Sequence, residues 1–222
     1  MKTEERYQHI ISWFQANMPD AKSELEFQNP FQLLIAVILS AQCTDKRVNL
    51  VTPDLFKAFP SPEAMAAGSS DEVLPYIKSV SYPNNKARLL VGMAQKLVAD
   101  FNGQVPDTME TLLTLPGVGR KTASVVLICA FNKPAMPVDT HVFRVANRLG
   151  LTDHSKTPEA TEKILLQYIP EALLPIAHHW LILHGRYVCQ ARRPLCEQCG
   201  LLPWCRKMTE GKEDKTALKD QN

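Results

Sequence analysis

Along almost the whole chain, apolar residues recur with the 3.6-residue period of helices, broken by short polar punctuators. Leu33, Leu34, Val37 and Ile38 fall on one helical stripe, and residues 31–39 are nearly all apolar, as in a central buried helix. Further helices are predicted at 45–59, 61–67, 70–77, 84–101, 108–113, 120–131, 140–149, 158–168 and 176–187. Asn102-Gly103 and Pro116-Gly117 mark turns between them. Ser61-Pro62-Glu63 and Thr157-Pro158-Glu159 each place a hydroxyl at an N-cap and proline at the first helical position. No sustained period-two run argues for a sheet, so the pattern predicts an all-α fold.

Composition changes this picture little. The 222 residues can bury a proper core, and a formal charge of +2 does not by itself announce a nucleic-acid partner. MKTEERYQHI carries charge where an export signal needs an apolar run, and the apolar stretch Leu33 to Leu39 is too short to span a bilayer. The expectation is a cytoplasmic protein with no membrane partner, where structural disulfides are disfavoured. Of the six cysteines, Cys43 and Cys129 stand alone in apolar segments and read as small core residues. The other four crowd into 189–205.

Three features carry candidate chemistry. Leu115-Pro116-Gly117-Val118-Gly119-Arg120-Lys121-Thr122-Ala123 joins two helices through a turn with two glycines. Bare backbone, the unpaired N–H groups of the next helix and the cations Arg120 and Lys121 suit an oxyanion such as a DNA phosphate. A tight helix–helix turn without a ligand is the open alternative. Asp139 precedes a predicted helix, where aspartate commonly serves as an N-cap. Cys189, Cys196, Cys199 and Cys205 are spaced C-x6-C-x2-C-x5-C, which suits tetrahedral zinc or an iron–sulfur cluster and does not decide between them. Arg186, Arg192, Arg193, Arg206 and Lys207 surround these cysteines, either as a DNA-backbone contact or as a solvated basic surface. His178, His179 and His184 lack the pairing of a helical zinc site and read as structural.

The motif LPGVGRKTA resembles the helix-hairpin-helix of the DNA glycosylases related to endonuclease III. Pro137-Val138-Asp139-Thr140-His141, Ser40-Ala41-Gln42 with Thr44-Asp45, and His178 to Tyr187 resemble further blocks of that superfamily, in family order. The cysteine spacing resembles the 4Fe–4S motif of the endonuclease III group. Four blocks in order plus the cysteines span Leu39 to Cys205, most of the chain.

The resemblance implies a two-lobed helix-hairpin-helix glycosylase fold with a C-terminal cluster loop. A six-helix barrel lobe would cover 23–133, a cluster lobe 1–22 and 134–208, and a disordered tail 209–222. It implies a bifunctional base-excision enzyme that removes oxidised pyrimidines from damaged double-stranded DNA and cleaves the abasic site, working as a monomer at the bacterial nucleoid. Lys121 would attack C1′ and form a Schiff base, and Asp139 would support the sugar's developing positive charge. The two would face each other at the mouth of a cleft that holds DNA. An exposed lysine has a pKa of about 10.4, so such a nucleophile needs burial or a cationic neighbour.

Gly117, Val118, Gly119 and Arg120 would grip a phosphate, and Arg192 and Arg193 would contact DNA from a loop tied by the cluster. Gln42 would enter the space left by the extruded nucleotide. Where the family often has a Gly-Leu-Tyr segment with an apolar wedge, this chain has Ser81-Tyr82-Pro83, and Tyr82 would stack in place of the leucine. That departure leaves base preference open to mismatched or oxidised-purine substrates. A non-catalytic DNA-binding module is the alternative from another class.

Overall fold

The computed structural model describes residues 1–210, and among them the chain is helical with no strand. The helices are α1 (Thr3–Asn17), α2 (Pro30–Ser40), α3 (Asp45–Ala58), α4 (Pro62–Ala67), α5 (Ser70–Ile77), α6 (Pro83–Phe101), α7 (Met109–Leu112), α8 (Arg120–Phe131), α9 (Thr140–Leu149), α10 (Pro158–Tyr168), α11 (Leu174–Tyr187) and α12 (Arg206–Glu210). The all-α expectation is met. α12 carries helix to Glu210, two residues into the stretch expected to be a tail, and the remainder of that expected tail, 211–222, lies outside the described residues. None of the helices is long and apolar enough to cross a membrane among the described residues.

Two compact units divide the chain, one spanning Ser23–Lys133 and the other joining Met1–Lys22 to the residues from Pro134 onward. The first unit is organised on α2. Asn29 caps it by accepting from the Gln32 N–H at 2.9 Å, Pro30 fits its first turn, and Phe31 through Leu39 except Gln32 are buried. Each of the larger side chains among them contributes about 2 kcal/mol on leaving water. A helix apolar on every side needs neighbours on several sides, and α3, α6 and α8 supply them. The Ser61 cap is formed as the sequence predicts, its hydroxyl accepting from the Ala64 N–H at 3.2 Å.

The second unit has its own core, built on α1, α9, α10 and α11. Tyr7, Ile10 and Phe14 form a single stripe of α1, with Phe14 stacked on Trp180 at 5.5 Å and Tyr7 on Tyr168 at 4.9 Å. Their burial beneath charged flanks explains why no helix was predicted there from periodicity alone. Buried polar ends find partners. Tyr7 donates to the Leu151 carbonyl at 2.7 Å, and the Trp180 indole donates to the Met18 carbonyl at 2.8 Å. Thr157 caps α10 through the Ala160 N–H at 3.2 Å.

Candidate active site

The turn 115–119 delivers its two glycines for different reasons. Gly117 sits at φ 78°, a conformation that demands glycine, and a side chain there would also approach Leu89 Cβ to 3.2 Å. Gly119 is extended at φ −93°, a conformation open to any residue, and a Cβ there meets nothing within 4 Å. What Gly119 keeps free is therefore space outside the chain. Val118 is buried and anchors the turn, while Gly117, Gly119, Arg120 and Lys121 are exposed. α8 begins at Arg120 with no side-chain cap, so its first N–H groups point outward beside two cations. Lys121 belongs to the first turn of this helix.

Asp139 belongs to the other unit. Its Oδ1 accepts from the His141 and Val142 N–H groups at 2.9 and 2.8 Å, so it is the N-cap of α9. Both bonds fall on Oδ1, and Oδ2 takes none among the described residues. The cap thus fixes the carboxylate and leaves one oxygen for other work. The loop before it is pinned from α11, where the buried His178 donates its Nδ1–H to the Pro137 carbonyl at 2.9 Å. His179 is also buried, and desolvation pushes its pKa down to about 4, which holds it neutral.

Gln42 and Tyr82 are both exposed and both lie in the left-handed region, at φ 55° and 54°. Tyr82 stands before Pro83 at the start of α6 and is 64% exposed, a large aromatic ring held out to solvent. The Ser81 hydroxyl lies 3.1 Å from the Ala41 carbonyl and 2.9 Å from that of Gln42, so the structure brings the two exposed residues' loops together.

All four clustered cysteines line one cavity, together with Arg148, His184, Leu195 and Leu202. None is in a disulfide. Among the described residues no group of three or more His, Cys, Asp or Glu side chains is already gathered to hold a metal ion. Burial, followed by the nearness of the other three cysteines, pushes the Cys199 thiol up, and burial also raises Cys205. A thiolate there needs positive charge nearby.

Arginines of α9 hold the Cys189 end of this loop in place. Arg144 Nε donates to the Cys189 carbonyl at 3.1 Å and its Nη2 to that of Gly185 at 2.8 Å. Arg148 donates to the Gln190 and Ala191 carbonyls at 2.7 and 2.9 Å and reaches Cys189 Sγ at 3.6 Å. His184 Nε2 lies 3.7 Å from Cys199 Sγ, and Gly200 abuts the Trp13 ring, where a Cβ would come within 2.5 Å. Arg192 and Arg193 are exposed on the loop, whereas Arg206 turns inward to Asp153 at 3.2 Å and the Thr152 carbonyl at 2.8 Å.

Sequence reasoning gave no role to Arg144, Arg148, Lys86 or the Ser81 hydroxyl. Arg144 and Arg148 are four apart on one helical face, a signal of a shared role, but their partners lie 41–45 residues away.

Residues 35–171 match the HhH-GPD superfamily of base excision DNA repair proteins. The chain is 48% identical over 196 residues to endonuclease III of Rickettsia conorii, covering 88% of this chain and 93% of that protein. It is 44% identical over 196 residues to endonuclease III of Escherichia coli, covering 88% and 92%. In structure it is similar, with a TM-score of 0.88 and 42% identity, to a trapped endonuclease III–DNA covalent intermediate in an estranged-adenine complex, covering 96% of this chain and 100% of that one.

Proposed function

The chain belongs to the HhH-GPD superfamily of base excision DNA repair proteins, and from that membership we propose that it is a bifunctional DNA glycosylase and abasic-site lyase acting on oxidised pyrimidines in duplex DNA. The observation that carries this reading is Lys121 on the uncapped first turn of α8, behind a turn whose Gly119 faces open space. A relative 42% identical in sequence has been trapped as a covalent intermediate with DNA, which supports a nucleophile in this one.

In this reading a backbone phosphate rests against the turn of Gly117, Val118 and Gly119 and against Arg120. Lys121 is exposed in the free chain, so DNA itself must exclude water from the amine. Asp139 takes the Nζ proton, passes it to the departing base and, ionised again, offsets the positive charge that develops on the sugar ring. The base leaves with the electrons of its glycosidic bond, and the Nζ lone pair bonds to C1′. Nζ then gives up a second proton, O4′ gains one as the C1′–O4′ bond opens, and the opened sugar carries a protonated imine. A C2′ proton then passes to water and the C3′–O bond breaks, the phosphate leaving with its electrons, which cuts the strand on the 3′ side. Water hydrolyses the imine and restores the amine.

Gln42 and Tyr82 occupy the space from which the nucleotide is turned out. Cys189, Cys196, Cys199 and Cys205 would hold a 4Fe–4S cluster. Four thiols lining one cavity, with the spacing of the endonuclease III group, support that assignment. When bound, the cluster supplies a cross-link that fixes the loop bearing Arg192 and Arg193 against the DNA backbone. The enzyme works as a monomer, in the cytoplasm at the nucleoid.

Duplexes carrying thymine glycol, dihydrouracil, 8-oxoguanine, uracil or an abasic site test the assignment. Release of thymine glycol and dihydrouracil with 3′-side strand cleavage is the expected result. Faster release of 8-oxoguanine or uracil would overturn the pyrimidine assignment, and no release from any duplex would overturn the glycosylase reading.

A further inference from the structure

Lys86 lies on the buried stripe of α6 with Leu90, Met93 and Leu97, and it is 4% exposed. No carboxylate is among the groups it bonds. Its ammonium donates to the Leu39 carbonyl at 2.8 Å, the Ala41 carbonyl at 2.7 Å and Ser81 Oγ at 3.1 Å. An ammonium has three protons, and all three are used. Two of the acceptors lie at the C-terminal end of α2, where the helix dipole is negative. The third, Ser81, lies in hydrogen-bond reach of the Ala41 and Gln42 carbonyls with its single proton.

This arrangement joins two segments 40 residues apart, each carrying a residue in a conformation unfavourable to side chains. Gln42 at φ 55° and Tyr82 at φ 54° persist only if their surroundings hold them. Ser81 precedes Tyr82 in the chain and reaches the carbonyl of Gln42 itself. Lys86 fixes the hydroxyl from beneath.

We propose that Ser81 and Lys86 are positioning residues that lock Gln42 and Tyr82 into one preformed two-residue probe, so that parting the target base pair depends on the Ser81 hydroxyl. The proposal rests on the reading that Gln42 and Tyr82 enter the duplex. With the lock in place, binding does not have to order the two loops separately. Without it, each loop relaxes from its left-handed turn and enters alone. The consequence falls on base-pair opening and not on chemistry at C1′.

The test uses the whole protein and a duplex with a tetrahydrofuran abasic analogue opposite 2-aminopurine, whose fluorescence rises when it unstacks. Single-turnover release of thymine glycol is followed in parallel. Ser81→Ala is expected to depress the fluorescence rise and to slow release from a fully paired duplex about tenfold, the effect of losing one hydrogen bond to a charged group. Release should fall much less when the lesion faces an abasic nucleotide and no partner base has to be parted. Ser81→Thr should restore both signals. Ser81 is partly exposed, so its variants should fold, and a thermal unfolding midpoint checks this. The conclusion does not depend on Lys86→Met, which can unfold a chain by emptying a buried site.

Gln42→Ala and Tyr82→Ala separate the two ways of failing. If both depress the fluorescence rise and Ser81→Ala does not, the lock is refuted while the probe reading stands. If neither depresses it, the probe reading fails and the lock falls with it. If Ser81→Thr behaves like Ser81→Ala, the effect belongs to shape and not to the hydroxyl, which also overturns the lock.

Discussion

The Asp139 carboxylate caps α9 through Oδ1, a task that asparagine performs about as well. Asp139→Asn should therefore leave the thermal midpoint nearly unchanged while lowering turnover by about 10²-fold or more, as removal of a proton acceptor and of a negative charge requires. Asp139→Ala should lose about 1 kcal/mol of stability in addition. If Asp139→Asn cuts as fast as the parent, the residue is a cap alone. The two glycines of the 115–119 turn divide in the same way. Gly117→Ala should destabilise the fold by about 1–2 kcal/mol through its positive φ, measured by denaturant unfolding. Gly119→Ala should unfold like the parent and bind duplex DNA more weakly, because its methyl occupies the space that the backbone leaves open.

At the scale of elements, what could be read in the sequence was local. Ser61 and Thr157 announce their helices because a cap and its partners lie within three residues. The cysteine spacing likewise marks one loop, and the four side chains do line one cavity. α1 was hidden because its Tyr7, Ile10 and Phe14 stripe is short and set among charges. Lys86 and Arg148 were illegible for a different reason: a lysine on an apolar stripe or an arginine on a helix does not disclose a carbonyl 41–47 residues away. The cysteine loop makes its own prediction. Pure protein should show broad visible absorption and acid-labile sulfide, both lost in Cys199→Ser, whereas colourless protein with stoichiometric zinc would contradict the cluster. Arg192→Ala and Arg193→Ala should each reduce the slope of log affinity against log salt by about 1. An unchanged slope would leave these arginines as solvated surface.

For the molecule as a whole, acid should be a weakness. The folded chain holds His179 neutral down to about pH 4, while an unfolded histidine takes up its proton near pH 6.5. Between those values the unfolded state binds more protons, so stability is full above about pH 6.5 and is lost as pH falls toward 4. The loss from this residue amounts to roughly 3 kcal/mol at most. His179→Leu should flatten the dependence of the thermal midpoint on pH across that window, and an unaltered slope would assign the acid sensitivity elsewhere. The proposed Schiff-base mechanism also belongs to this scale. Its most direct test is borohydride trapping on a duplex with an abasic site. The wild-type chain should form a covalent protein–DNA adduct through the reduced Lys121 imine, and Lys121→Gln should form none. A wild-type chain that yields no adduct, or a Lys121→Gln variant that yields as much, would contradict the Schiff-base mechanism.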